Sequence, residues 1–466
     1  MFHSETTDVI LNIIGLDAGT TTISGVLIDT AQLKLLGSKT IPNTSYLKSS
    51  QPWENLQQPE WIWEACRQLL HYFSGLCPVV DGIGITGQMH GILYLDQDGR
   101  AVSPLTTWQD ERGNQVYEND QTYCETLQAA TGYPMATGYG FTTHFFNVLN
   151  RVIPLHAASF CTIADYIAMR FCENRGPIIH ASNAASFGCF DLRSGKFDQG
   201  ALDKIGIPAS FLPLVVSHEI KIGNTPNGIP VCVAIGDNQA SYIGSVNSGN
   251  NLLVNIGTSS QISVMRDDLI GNTSMEVRPF VGGTYLLAGP GLCGGSAYQL
   301  VRDFFAEILA LYGMPQSEDL YLMMDEALKK GFGENELVID TRFRGTRKTP
   351  GLRGSIQNIG MDNFTPGHLI SGVLKGICNE LKAFHDELPE DARNSRFLIG
   401  SGNAIRKSPS LRRMLGNVFA KKVLIPCHAE EASLGAAILA ASILESGRSM
   451  AQIQQIIKYE QDADAR

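Results

Sequence analysis

"LDAGTTTISGVLID", Leu16 to Asp29, carries the reading of the whole chain. An apolar strand pattern runs into Asp17, turns at Gly19 through Thr20, Thr21 and Thr22, and resumes as a second strand. A plain hairpin needs neither a carboxylate nor a run of hydroxyls at its tip. Backbone amides in a glycine turn form a concave donor surface suited to phosphate oxygens, and threonine hydroxyls add donors without bulk. Asp17 beside such a nest would repel a bare phosphate, so its place makes sense when a magnesium ion or its waters lie between the two.

The device recurs. "LVNIGTSSQISVMR", residues 253–266, repeats strand, Gly-Thr-hydroxyl turn and strand, aligning Gly257 and Thr258 with Gly19 and Thr20 and adding Ser259. So long a period suits a duplicated domain rather than a solenoid. Two such hairpins can grip a polyphosphate from both sides. The halves meet at the turn signals of "SVNSGNN", which places the domains at 1–245 and 246–466. Within each half, apolar runs such as "DGIGITG" and "RFLIGSGN" alternate with helical patterns, which predicts an α/β architecture. "PEWIWEACRQLLHYF" is expected to be a helix with Trp61, Ala65, Leu69 and Phe73 on its core face, and "EEASLGAAILAASILES" a helix whose Gly435, Ala436 and Ala437 permit close packing.

Bulk properties narrow the function classes. At 466 residues the chain exceeds one comfortable core, and two domains of roughly 200 to 250 residues are expected. With 44% hydrophobic and 18% charged residues it reads as a globular protein. It has no apolar run of the roughly 18 to 20 residues that a membrane span needs. The N-terminus has no basic stretch before its apolar run, so a secretory signal is not expected and the cytoplasm is the expected compartment. The ten cysteines lack metal or redox spacing and read as small core residues. A net charge of -10 argues against nucleic acid or an anionic membrane as partner. The most basic stretch, "TRFRGTRKTPGLRG" at 341–354, reads first as a solvated loop.

Four further stretches carry chemistry. In "GIPVCVAIGDNQAS" a strand ends at Gly236 and delivers Asp237 to a helix start, where it can cap the helix or take a proton from a hydroxyl attacking a terminal phosphate. "GITGQMHGILYL" interrupts a strand with Gln88, Met89 and His90, as close approach of a ligand would require. "TTWQDERG" sets Trp108 beside Asp110 and Arg112, a ring for a sugar face and charged groups for its hydroxyls. "FLIGSGNAIRK" and "GPGLCGGSAYQL" are glycine turns opening helices: Gly400 and Gly402 can let a flat base pass, and the helix after Gly294 and Gly295 can direct its dipole at phosphate. No Gly-x4-Gly-Lys-Ser/Thr loop is present, so nucleotide binding needs another solution.

Taken in order, "GLDAGTTTISG", "GITGQMHG", "TWQDERG", "SNAASFG", "GDNQAS", "NIGTSSQ", the "TPGLRG" loop and "GSGN" resemble the FGGY family of carbohydrate kinases, over almost the whole chain. The resemblance implies two ribonuclease-H-like domains of the actin, hexokinase and Hsp70 superfamily, with ATP and sugar meeting in a cleft between them. It implies that Asp17 holds Mg2+ through water, with Asp237 a second possible contact, and that Asp237 is the catalytic base. Gly19, Thr20, Thr21 and Thr22 would face the phosphates, with Gly257, Thr258 and Ser259 opposite, and Gly295, Gln299, Gly400, Gly402 and Asn403 near the nucleotide. Gln88, Met89, His90, Trp108, Asp110, Arg112 and Asn183 would bind the sugar. The first domain would then carry the sugar site and the second the adenosine site.

The "GQMHG", "TWQD", "NAAS" and "GSG" details are most like members acting on sedoheptulose. Xylulose or a related pentulose is the alternative substrate, and a nucleotide-binding sensor without catalysis is the alternative class. Monomer and homodimer are both expected states. The sequence departs from the family where His144 and Phe145 replace a lysine and tryptophan, and where Glu111 replaces a glycine. The basic loop, within the resemblance, becomes a family feature of the second domain.

Overall fold

The computed structural model describes residues 11–249, 251–271, 273–314, 320–329, 335–346, 349, 351–444 and 447–460. The chain divides into two compact units. The first comprises the residues up to Ser248 together with Arg278–Tyr285 and Glu430–Ile457. The second comprises Gly249–Val277, Leu286–Ala429 and the residues from Lys458 on. Glu430–Ile457, which a cut at 245 places with the second half, therefore packs in the first unit.

The first unit is built on β1 (Asn12–Ala18), β2 (Thr22–Asp29), β3 (Lys34–Pro42), α1 (Pro59–Leu76), β4 (Gly82–Gly87), α2 (Gly140–Leu149), α3 (Ala181–Ala185), β5 (Lys221–Asn224), β6 (Pro230–Cys232), β7 (Ile235–Gly236) and α4 (Asp237–Ser245). Its sheet runs β5-β6-β4-β1-β2-β3, with β7 also paired to β4. β1 and β2 form the expected antiparallel hairpin, and β4 lies parallel to β1. Ile13, Ile14, Leu16, Ile83 and Ile85 are buried, as strands covered on both faces require.

The second unit is built on β8 (Leu252–Ile256), β9 (Ser260–Arg266), β10 (Glu276–Pro279), β11 (Tyr285–Gly291), α5 (Gly295–Leu311), β12 (Phe397–Ser401) and β13 (Lys422–Leu424). Its sheet runs β10-β11-β9-β8-β12-β13. Again the first hairpin, β8–β9, is antiparallel, while β12 lies parallel to β8 and β13 parallel to β12. The duplication read from the two Gly-Thr turns is thus a duplication of the central antiparallel hairpin with a parallel strand beside its first strand, and the α/β, ribonuclease-H-like expectation holds in each unit.

Small residues bring backbones into direct contact. A Cβ on Gly15 of β1 would lie 1.9 Å from the Ser433 carbonyl oxygen, and one on Gly84 of β4 2.0 Å from that of Ala436. The Glu431–Ile443 helix thereby rests on the sheet with almost no side-chain layer. A Cβ on its Gly435 would lie 1.8 Å from the Ala240 oxygen, so the same helix also presses backbone to backbone on α4. This is the close packing that the Gly-Ala-Ala run predicts.

Helix α1 forms where expected but turns a different face inward. Ile62, Cys66, Leu69 and Phe73 are buried, whereas Trp61 is 57% exposed and Ala65 half-buried. The 4-3-4 spacing keeps to one side of a 3.6-residue helix, while an unbroken step of four drifts around it. Most cysteines are buried or half-buried, but Cys427 is exposed rather than a core residue. Among the described residues no helix is long and apolar enough to cross a membrane.

Candidate functional site

Strands β1, β4 and β7 are parallel and end in register: Ala18 pairs with Gly87, and Gly87 with Gly236. Asp17, the loop of Gln88 to His90, and Asp237 therefore emerge at one sheet edge. With neighbouring strands about 4.8 Å apart, the backbones of Asp17 and Asp237 are roughly 10 Å apart across β4. Asp17 Oδ1 is buried and has no hydrogen-bond partner. Burial, reinforced by the carboxylates of Asp237 and Glu430, pushes its pKa up to about 8. Such a carboxylate is stabilised in its charged form by a cation.

Asp237 opens α4, yet the N-cap is Gly236 and no side chain caps the helix, so the capping alternative is not taken. Its Oδ1 accepts from Asn238 Nδ2 at 2.8 Å. Burial pushes its pKa up to about 6, against the pull of the Arg278 guanidinium. A carboxylate with that value is ionised near neutrality and still basic enough to accept a proton.

Gln88, Met89 and His90 follow the end of β4 at Gly87 and form a loop rather than a strand interior, which corrects the expectation. Gln88 Nε2 donates to Gln57 Oε1 (2.8 Å), and Gln57 Nε2 donates to the Thr20 carbonyl (2.9 Å), tying this loop to the hairpin turn. Gln88 Oε1 is buried without a partner. Met89 Sδ accepts from Asn238 Nδ2 at 3.5 Å. His90 has φ 71°, its ring lies flat on Tyr139 at 4.6 Å, and its Nδ1 is 2.8 Å from the Ser186 carbonyl. A carbonyl only accepts, so Nδ1 carries the proton and in neutral His90 Nε2 is an acceptor.

Trp108 is 41% exposed and donates from Nε1 to Thr20 Oγ1 at 2.9 Å. Asp110 and Arg112 are buried and hold each other: Arg112 Nε donates to Oδ1 (2.7 Å) and Nη2 to Oδ2 (3.1 Å). Arg112 Nη1 donates to Asn147 Oδ1 (2.6 Å), and the guanidinium lies near the rings of Trp53 and Phe146. This pair braces the Trp108 loop. Glu111 adopts an ordinary φ of -105°, so its position needs no glycine. Phe145 is buried in α2, as is His144, whose pKa burial lowers to about 4. His144 Nδ1 is 2.9 Å from Tyr94 Oη in an aromatic core with Phe160 and Phe211. Asn183 is fully buried, with Nδ2 donating to Asp165 Oδ1 (3.0 Å) and to the Ala234 carbonyl (3.4 Å), and supports the β7 end from below.

In the second unit, Gly257 to Ser259 form the β8–β9 turn, with Thr258 and Ser259 exposed. The amides of Gly294 and Ser296 donate to the Thr258 carbonyl (3.0 and 3.1 Å), and that of Gly295 to the Gly257 carbonyl (2.7 Å). The start of α5 thus holds the turn through its first amides. Gln299 is exposed one turn further along α5. Gly400 is buried in β12, and a Cβ there would meet Ile425 at 2.8 Å and Ile405 at 3.0 Å, so its missing side chain makes room for core packing rather than for a base. Gly402 has φ 88° and sits against the Ile256 carbonyl, and Asn403 beside it is exposed. Of the basic loop, Arg342 is paired through two contacts with Asp340 (2.9 and 2.6 Å), and Arg347, Lys348 and Pro350 lie outside the described residues.

Gln57, Tyr139 and Arg278 lie in no stretch that the sequence marks, and Ser182, Ser186 and Glu430 lie in marked stretches without having been named as site residues. The run of small polar residues in "HASNAAS" is the one local signal, since a buried helix with so many hydroxyl and amide groups needs partners for them.

Comparison with known proteins places these features in a lineage. The model of the FGGY family of carbohydrate kinases, N-terminal domain, matches residues 12–244, and that of the C-terminal domain matches residues 252–444. Sedoheptulokinase of Mus musculus is 24% identical over 473 residues, spanning 91% of this chain and 96% of the relative. A xylulose kinase of Staphylococcus epidermidis is 26% identical over 461 residues, spanning 92% of this chain and 87% of the relative. The crystal structure of gluconate kinase from Lactobacillus acidophilus superposes with a TM-score of 0.83 at 20% identity, covering 97% of this chain and 93% of that one, a likeness of fold. With both family domains matched in order across nearly all of its length, the chain belongs to the FGGY family of carbohydrate kinases and is an ATP-dependent sugar kinase.

Proposed function

We propose that the protein transfers the γ-phosphoryl group of ATP to a terminal hydroxyl of a ketose, with sedoheptulose as the substrate and Asp237 as the general base. The observation that carries the reading is the uncapped Asp237 carboxylate at the sheet edge shared with Asp17 and the Gln88–His90 loop. The "GQMHG", "TWQD" and "NAAS" segments and the similarity to the mouse sedoheptulokinase support the seven-carbon sugar. Similarity to the xylulose kinase keeps a pentulose as the second reading.

In this reading Asp237 accepts the proton of the attacking hydroxyl. Because the transition state of phosphoryl transfer is loose, the remaining residues work by positioning and charge. Gln88, Met89, His90 and Trp108 contact the sugar, while Asp110, Arg112 and Asn183 hold those groups in place. Gly19, Thr20, Thr21 and Thr22 offer amides and hydroxyls to phosphate. In the second unit Gly257, Thr258 and Ser259 do the same, with Gly295, Gln299, Gly402 and Asn403 beside them.

A magnesium ion fits the first unit's residues. Asp17 has an orphaned buried oxygen and two carboxylates as neighbours. Among the described residues no three His, Cys, Asp or Glu side chains are grouped to hold a metal directly, so the fit is to a hydrated ion held by Asp17, with Asp237 near it. When bound, such an ion supplies neutralisation of phosphate charge.

The test is ADP release with Mg2+ and ATP across sedoheptulose, xylulose, ribulose, gluconate and glycerol. The expected result is the highest kcat/KM for sedoheptulose and a loss of about 10² to 10⁴ in turnover in Asp237→Ala, with nucleotide binding kept. Preference for a pentulose overturns the substrate, and near-normal turnover of the variant overturns the base.

A further inference from the structure

The segment "HASNAAS", residues 180–186, stands between the two loops that matter most. From its N-terminal side, Ser182 Oγ accepts the Gly236 amide at 3.1 Å, the amide immediately before Asp237. From its C-terminal side, Ser186 Oγ accepts the His90 amide at 3.0 Å, and the Ser186 carbonyl accepts from His90 Nδ1 at 2.8 Å. The two serines are joined by α3, only one turn long.

We propose that Ser182 and Ser186 are positioning residues that set Asp237 and His90 against each other through α3. The inference rests on the reading of Asp237 as base and His90 as a sugar contact. Neither serine reaches substrate, because both are buried, at 1% and 5% exposure.

The proton assignments follow from the partners. Ser186 Oγ donates to the Asn183 carbonyl at 2.6 Å, which leaves its lone pair for the His90 amide. Two bonds from one residue then hold His90 at φ 71°, a conformation that a side-chain-bearing residue adopts at a cost. Ser182 Oγ is an acceptor toward Gly236, so its own proton goes to His180 Nδ1 at 2.9 Å. That nitrogen also faces the Ser182 amide at 3.2 Å, so the neutral imidazole carries its proton on Nε2, 3.6 Å from Glu219 Oε1. Glu219 in turn accepts the Gly282 amide at 2.8 Å. A serine at 182 that shifted would have to break its buried bonds to the Gly236 amide and to His180 Nδ1.

The experiment compares Ser182→Ala and Ser186→Ala on whichever sugar the wild type phosphorylates, together with amide hydrogen exchange. Ser182→Ala should lower kcat about 10-fold with the sugar KM nearly unchanged, and Ser186→Ala should raise the sugar KM about 10-fold with kcat nearly unchanged, each the size of one ordinary hydrogen bond. Exchange of the Gly236 amide should quicken in the first variant and of the His90 amide in the second, a readout that needs no turnover. Unchanged exchange at both amides overturns the hub. Faster exchange without the kcat and KM split keeps the hub and overturns the roles given to Asp237 and His90. Should an alanine variant fail to fold, Ser182→Cys and Ser186→Cys, which keep the shape and weaken the bond, are read in the same way.

Discussion

Replacing Gly435 by alanine adds one methyl group at a position given no contact with substrate, yet it should reach Asp237. The new Cβ would lie 1.8 Å from the Ala240 oxygen and 2.6 Å from its carbon. An ordinary carbon–oxygen contact is about 3.3 Å, so the Glu431–Ile443 helix and α4 must part by roughly 1.5 Å. Both clashing atoms are backbone and cannot rotate away. Against this, alanine in place of glycine favours a helix by about 1 kcal/mol. Overpacking typically costs about 1 to 3 kcal/mol, and with no side chain able to yield, the upper part of that range applies, for a net loss of about 1 to 2 kcal/mol. Since α4 begins at Asp237, any movement of the helix is carried to the carboxylate, and a misplacement of about 1 Å can cost about 10²-fold in rate. The assay is a thermal melt beside kcat measured well below the melt. Gly416→Ala is the control: it lies in the Pro409–Phe419 helix with its nearest neighbour 3.4 Å away, so it should gain up to about 1 kcal/mol and keep its kcat. If Gly435→Ala melted and turned over like the wild type, the helix contact would not be as close as described and its link to Asp237 would be lost.

Other perturbations test separate parts of the first unit. His144 is held neutral with a folded pKa of about 4, below the usual 6.5, so its contribution falls as pH drops through the unfolded value; between pH 7 and pH 5 it should remove about 2 kcal/mol. His144→Phe should lack that portion of the pH dependence in urea unfolding, and an identical pH difference in both proteins would refute the assignment. Arg112→Lys cannot reproduce the two-pronged bond to Asp110 and should lower denaturant stability by about 2 to 4 kcal/mol, whereas a loss below about 0.5 would show that the pair bears little load. Trp108→Phe removes the bond to Thr20 and should cost at most about 1 kcal/mol in the same melts while raising the sugar KM several-fold; an unchanged KM would remove Trp108 from the sugar site.

What could be read from the sequence was local and periodic. The Gly-Thr hairpins were legible because both the turn chemistry and the flanking strands lie within about a dozen residues, and they led to the duplicated sheet. Asp237 was legible because a strand end and a helix start flank it. The phase of α1 was not, since the apolar register Trp61, Ala65, Leu69 and Phe73 at four-residue intervals looked as good as the buried 4-3-4 register beside it. Gly400 and Gly402 looked alike in sequence, and only packing separates a core glycine from one with positive φ. The bond of Arg112 to Asn147 and the hub at Ser182 and Ser186 depend on partners 35 to 96 positions away, which no local pattern reveals.

The return of Glu430–Ile457 to the first unit has a consequence for biosynthesis. On the ribosome, β1 and β4 emerge early, but the helix whose backbone covers Gly15 and Gly84 is translated only after most of the second unit. At about 5 to 20 residues per second, the delay between Ser248 and Ile443 is roughly 10 to 40 s. Through that interval the nascent sheet displays a flat, glycine-lined apolar face with nothing from its own chain to cover it. The unit that is begun first is completed last.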